Sequence, residues 1–111
     1  MLSQDYCVYI LTNQLKTVLY TGVTNNIKAR LIEHWRQRGN STSLTGKYYV
    51  HWLIFFDRYS LKYDAIAREK KNKGWSRWKK MQLINSFNPE WKFLNFDLFD
   101  QWPPEEVESR F

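Results

Sequence analysis

Residues 8–34 read VYILTNQLKTVLYTGVTNNIKARLIEH, and this stretch decides the fold. Together with the preceding residues it gives DYCVYIL at 5–11, a run apolar at nearly every position and too short for a helix of its own. That pattern predicts a strand covered on both faces, with Tyr9 on the same face as Cys7 and Leu11. NQLKT at 13–17 has turn chemistry, and TVLYTG at 17–22 resumes the apolar pattern, so the two runs should pair as an antiparallel hairpin ended by Gly22. Thr24, Asn25 and Asn26 then offer an N-cap, and Ile27, Leu31 and Trp35 form the apolar stripe of a helix that fades by Gly39. Arg30 and His34 lie four residues apart on that helix and therefore share a face. Adjacent elements thus present two phenols, Tyr9 and Tyr20, a guanidinium and an imidazole.

Working outward, residues 36–47 (RQRGNSTSLTGK) show no periodicity and predict an exposed, mobile loop carrying Arg36, Arg38 and Lys47. YYVHWLIFF at 48–56 is the clearest strand in the chain. Alternation puts Val50, Trp52, Ile54 and Phe56 on one face and Tyr49, His51, Leu53 and Phe55 on the other, and the strand is expected to be central or best covered. His51, in mid-strand, reads as a packed or edge histidine. Ser60 is placed to cap a second helix with Tyr63, Ile66 and Ala67 buried and Gly74 as a left-handed C-terminal cap. Ser76 starts a third, in which Trp78, Met81, Ile84 and Phe87 recur every three residues as a core face before Asn88-Pro89 ends it. The expected architecture is an α/β (α+β) domain over residues 1–88: a three-stranded antiparallel sheet with three surrounding helices, in the order β-β-α-β-α-α. Residues 89–111 form a C-terminal extension, aromatic as far as Trp102 and able to pack on the domain, then acidic and disordered beyond Pro103-Pro104.

With 111 residues, 18% of them aromatic, the chain can bury a core without disulfides or metal. Cys7 is its one cysteine, which excludes an internal disulfide and a thiolate zinc site and fits a reducing compartment. No apolar run reaches the length of a membrane span and the first residues, MLSQDY, lack the pattern of a signal peptide, so a cytoplasmic protein with no membrane partner is expected. The net charge is +6, and residues 62–80 alone carry eight basic side chains against Asp64 and Glu69. From Glu90 onward acids dominate. A basic body with an acidic tail points to a polyanionic partner, with a solvated helix face as the plain alternative. The acidic end could fold over the basic helices and compete with nucleic acid.

Tyr9 in Cys7-Val8-Tyr9, Tyr20 in Tyr20-Thr21-Gly22, Arg30, His34 and Glu69 in AREKK, taken in this order and on these predicted elements, resemble the GIY-YIG nuclease superfamily. The likeness is greatest to its small single-domain bacterial members, which are similar to the nuclease module of the excision-repair incision subunit, and REKKNKGWSRWKK at 68–80 is similar to a segment of those members. Cys7 departs from the first glycine of the family pattern. The family's additional asparagine has two candidates, Asn85 and Asn88, and the choice stays open. The resemblance implies an endonuclease with Tyr9, Tyr20, Arg30, His34 and Glu69 as its catalytic set. It also implies one Mg²⁺ or Mn²⁺ ion on Glu69, DNA ahead of RNA as substrate, and a role in repair or recombination.

The side chains suit that chemistry. Glu69 is a hard oxygen ligand for a largely hydrated Mg²⁺ or Mn²⁺, and its place beside Ile66 and Ala67 puts it at the edge of the expected buried stripe. Arg30 offers a planar fork of donors matched to phosphate oxygens. The resemblance implies that one phenol acts as base, Tyr9 with its proton drawn off by neighbouring cations, while His34 is the competing base. Lys28, Lys47, Lys70, Lys71, Lys73 and Arg77 would hold the nucleic-acid backbone without reading sequence. Trp75 and Trp78 lie among these charges and could stack on bases, although the spacing of Trp78 assigns it to the core. The rival reading is a non-catalytic nucleic-acid-binding module that keeps the nuclease fold, and in either case a partner protein could deliver the substrate.

Overall fold

The computed structural model describes residues 5–104. Along the chain lie β1 (Tyr6–Thr12), β2 (Leu19–Thr24), α1 (Ile27–Arg36), α2 (Leu44–Lys47), β3 (Trp52–Tyr59), α3 (Lys62–Lys73), α4 (Arg77–Phe87) and α5 (Asn95–Leu98). The three strands form one antiparallel sheet in the order β2-β1-β3. The three-stranded α+β architecture is as expected, with α2 and α5 as two further helical segments of four residues each.

The centre of the sheet is β1, not β3. Every residue of β1 after Tyr6 is buried, which is what a strand apolar on both faces requires when partners flank it on each side. One face carries Cys7, Tyr9 and Leu11 into a core with Leu31, Leu53, Leu94 and Trp102; the other carries Ile10 against Ile54, Phe55 and Ile84. Helix α1 and the C-terminal segment therefore cover the Tyr9 face, and α4 covers the Ile10 face. Thr21 pairs with Ile10, so the Thr21–Asn72 hydrogen bond (2.7 Å) fixes α3 to that second face as well.

The register corrects the alternation expected for β3. Ile10 pairs with Phe55 and Leu11 with Leu53, leaving Ile54 as the extra residue of a bulge. Leu53 and Phe56 therefore share the face of Leu11 and Tyr9. The strand also starts later than expected, because Tyr49 takes a positive φ of 56° and turns the chain before Trp52. Gly22 does not end β2, which continues to Thr24.

Two helices bury other faces than expected. On α3 the buried residues are Ala65, Glu69 and Asn72, while Tyr63 is 80% exposed and Ala67 is also exposed. Spacings of four and three make a proper helical stripe, but two of its members are polar, so a search for apolar residues passes over it. Ser60 does not cap α3, whose N-cap position is Leu61 without a side-chain bond, and Gly74 has an ordinary φ of −82°. On α4, Ser76 caps as expected, its Oγ accepting from Lys79 N–H at 3.2 Å. Of the expected core face only Ile84 is buried; Trp78 is 68% and Phe87 46% exposed. A three-residue repeat falls behind a helix by about 60° per step, so positions 78 and 87 end on opposite sides.

Residues 36–47 are not a fully exposed loop. Ser43 Oγ accepts from Gly46 N–H at 2.9 Å to start α2, and Thr45 and Gly46 are buried against the end of α1. Past α4 the chain returns to β3: Asn88 Nδ2 donates to the Ile54 carbonyl at 3.0 Å. Asn95 accepts from Leu53 N–H at 2.7 Å and donates to the His51 carbonyl at 3.0 Å. Leu94 and Trp102 are buried in the core on the Tyr9 face. The acidic end proposed to lie over the basic helices falls outside the described residues. Among those described, no helix is long and apolar enough to cross a membrane.

Candidate active site

Tyr9 is fully buried at the middle of the central strand, directly opposite Gly22 on β2. A Cβ at Gly22 would collide with the Tyr9 Cζ and hydroxyl. Gly22 is therefore needed for space: it lets the phenol lie across β2 toward α1. There the Tyr9 hydroxyl meets His34 Nε2 at 3.2 Å, and His34 Nδ1 meets Thr45 Oγ1 at 3.1 Å. The imidazole is thus held at both nitrogens, between a strand on one side and α2 on the other. Asn26 starts α1 by accepting from Ala29 N–H at 3.0 Å, which sets the helix phase that aims His34 inward.

The electrostatics follow from burial. Desolvation pushes the Tyr9 phenol well above its ordinary value, with the Arg30 guanidinium pulling it back. His34 is lowered to about 4 by burial, Arg30 and His51, in that order, so it is neutral at neutral pH. Arg30 pairs with Glu33 at 3.2 Å, as a helix pair three residues apart can. A cleft of about 270 Å³ opens over this group, lined by Tyr20, Arg30, Glu33, His34, Gln37, Ser43, Leu44 and Thr45. The Tyr20 ring sits edge-on to His34 at 5.9 Å.

Glu69 approaches from α3 at the β2 edge. It is 8% exposed, and its Oε2 accepts from Lys73 Nζ at 2.8 Å. The same ammonium lies 5.9 Å from the centre of the Tyr20 ring, so Lys73 connects Glu69 to the rim of the cleft. Glu69 raises the Lys73 pKa in return, through its hydrogen bond ahead of its charge. Glu69 is a hard oxygen donor of the kind that suits a divalent cation, and its present partner, the Lys73 ammonium, is half exposed.

Tyr9, Tyr20, Arg30 and His34 are thus brought together, with Glu69 joined to them through Lys73. The cations expected to hold a backbone are dispersed. Lys70 and Lys71 are exposed on α3, Lys28 lies over the Phe99 ring and Lys47 over that of Tyr48, and Arg77 donates to the Lys16 carbonyl. Sequence reasoning missed Thr45 and Asn72. Asn72 is three residues beyond Glu69 and fully buried, and spacing from Ala65 was the available signal. The two asparagines left open are engaged elsewhere, Asn88 on β3 and Asn85 accepting from the Trp91 indole N–H at 2.6 Å.

The sequence pattern of the GIY-YIG catalytic domain matches residues 5–82, the span that holds the hairpin, the cleft and Glu69. The chain belongs to the GIY-YIG family, a family of nucleases that generally use divalent metal ions. It is 34% identical over 83 residues to a UPF0213 protein of Natronomonas pharaonis, covering 75% of this chain and 94% of that one. It is 35% identical over 66 residues to a UPF0213 protein of Staphylococcus haemolyticus, covering 60% of this chain and 78% of the relative. No solved structure matches the chain significantly.

Proposed function

We propose that the chain is a divalent-metal-dependent endonuclease that hydrolyses phosphodiester bonds of nucleic acid, DNA ahead of RNA, in repair or recombination. The observation that carries this reading is the bonded series Tyr9–His34–Thr45 beside a cleft that Arg30 also lines, with a nearly buried carboxylate at the neighbouring strand edge. Arg30 exchanges Glu33 for a phosphate and neutralises charge on its oxygens. Tyr20, on the rim, orients the attacking water. Tyr9 and His34 are the two candidate bases: the Tyr9 hydroxyl donates to the neutral Nε2 of His34, Thr45 holds the ring at Nδ1, and the positive charge of Arg30 favours the ionised phenol. Burial opposes charge on both rings, so proton loss from Tyr9 requires further positive charge at the site when substrate and metal are bound. A cation held by Glu69 would supply Lewis-acid stabilisation of the phosphoryl and leaving oxygens.

The test is cleavage of labelled single-stranded, duplex, flap and branched DNA and RNA with Mg²⁺ or Mn²⁺, wild type beside Glu69→Ala and Arg30→Ala. Cutting by wild type that both variants lose supports the reading; a variant that cuts at the wild-type rate refutes its assignment. The alternative, a module that binds without cutting, has the Lys73–Glu69 pair in its favour, since a lysine already neutralises the carboxylate. It predicts salt-sensitive binding indifferent to metal and no cleavage of any substrate.

A further inference from the structure

Five of the six tryptophans are engaged within the described residues. Trp35 lies under the Arg38 guanidinium at 3.7 Å and edge-on to His51. Trp52 stacks on Phe93 at 4.4 Å, and Trp102 is buried among Trp35, Trp52 and Phe99. Trp91 packs beside Ile84 and its neighbours and donates to Asn85. Trp75 has the Lys79 ammonium at 4.5 Å and the Arg68 guanidinium at 5.0 Å from its ring centre. Trp78 differs. It is 68% exposed on α4, and among the described residues neither its ring nor its indole N–H meets a ring, a cation or an acceptor.

Arg77 and Lys79, both exposed, flank Trp78 in sequence on α4, and Arg68 and Lys79 converge on the ring of Trp75, three residues before it.

We infer that Trp78 is a stacking platform for an unpaired base, and that α4 thereby selects nucleic acid with single-stranded character. The inference rests on the nucleic-acid reading above and names the substrate class for it. An exposed indole face suits a base that is free to leave its stack, whereas in a duplex the base faces are occupied and only the phosphates are offered. The adjoining cations complement the phosphates that flank such a base. They also disfavour a second copy of this chain as occupant, since the same positive charge would face itself.

The test is fluorescence anisotropy of labelled oligothymidylate and of a blunt hairpin duplex, in EDTA to prevent cutting, with wild type, Trp78→Ala, Trp78→Phe and Lys70→Gln. The expected result is a loss of roughly tenfold in oligothymidylate affinity for Trp78→Ala, with duplex affinity within about twofold of wild type and Phe retaining most binding. Lys70→Gln should weaken both ligands alike. Equal effects of Trp78→Ala on both ligands, or none on either, overturn the platform while leaving nucleic-acid binding intact. Loss of self-association in Trp78→Ala, seen by sedimentation with oligothymidylate affinity unchanged, overturns it in favour of a protein contact. Wild type that binds neither ligand at low salt overturns the nucleic-acid reading with it. The ring is exposed, so the variant should melt as wild type does.

Discussion

Tyr9 occupies the space that a side chain on Gly22 would need, and the two residues are direct partners across the β1–β2 register. Gly22→Ala should therefore push the phenol away from His34. The expected cost is about 1–3 kcal/mol of stability, read from urea unfolding, together with loss of cleavage. A variant as stable and as active as wild type would show that the ring has room to spare.

Lys73 holds the carboxylate that would take the cation. Lys73→Met should tighten Mn²⁺ binding by roughly three- to tenfold, measured by electron paramagnetic resonance, because the ion no longer displaces an ammonium. Glu69→Gln should remove binding in either background. Unchanged affinity in Lys73→Met would mean that the lysine does not compete.

His34 and His51 both have pKa values lowered to about 4, principally by burial. The unfolded chain, with histidines near 6.5, binds these protons first as pH falls. Their contribution is therefore fully present above about pH 6.5 and lost progressively toward pH 4. Thermal melts between pH 7 and 4.5 should show a falling Tm, and His51→Gln should flatten part of that slope. A slope unaltered by the substitution would assign the acid sensitivity to other groups.

Asn95 serves β3 through both ends of its amide. Asn95→Leu should leave the Leu53 N–H and the His51 carbonyl without partners and lower stability by about 2–4 kcal/mol. A chain ending at residue 88 should melt lower still, since it also loses Leu94 and Trp102. Calorimetry of both forms checks this.

The sheet and the placing of Tyr9, Tyr20, Arg30 and His34 were legible because they depend on one continuous segment with clean periodicities, apolar runs followed by a capped helix. The face of α3 was not, since its stripe of Ala65, Glu69 and Asn72 hides in a lysine-rich sequence and is satisfied by partners on β2 and by Lys73. Trp78 was misplaced by a repeat of three that mimics, over a short span, the period of a helix. The rank of β1 over β3 depends on which strand receives two neighbours, a long-range fact that local apolarity does not encode. Likewise nothing in the spacing of Asn88 and Asn95 announces that both side chains end on β3.

Those two asparagines carry a consequence for the chain in company with its own kind. β3 is the outer strand on its side of the sheet and presents Trp52, Leu53, Ile54 and Phe55 in sequence, the sort of segment that recruits another copy by strand addition. Asn95 occupies the backbone groups of His51 and Leu53, and Asn88 that of Ile54, so an incoming strand finds these bonding positions filled. The C-terminal segment thus acts as a built-in guard against aggregation, and its loss should be seen as turbidity in concentrated solution as well as in weaker folding.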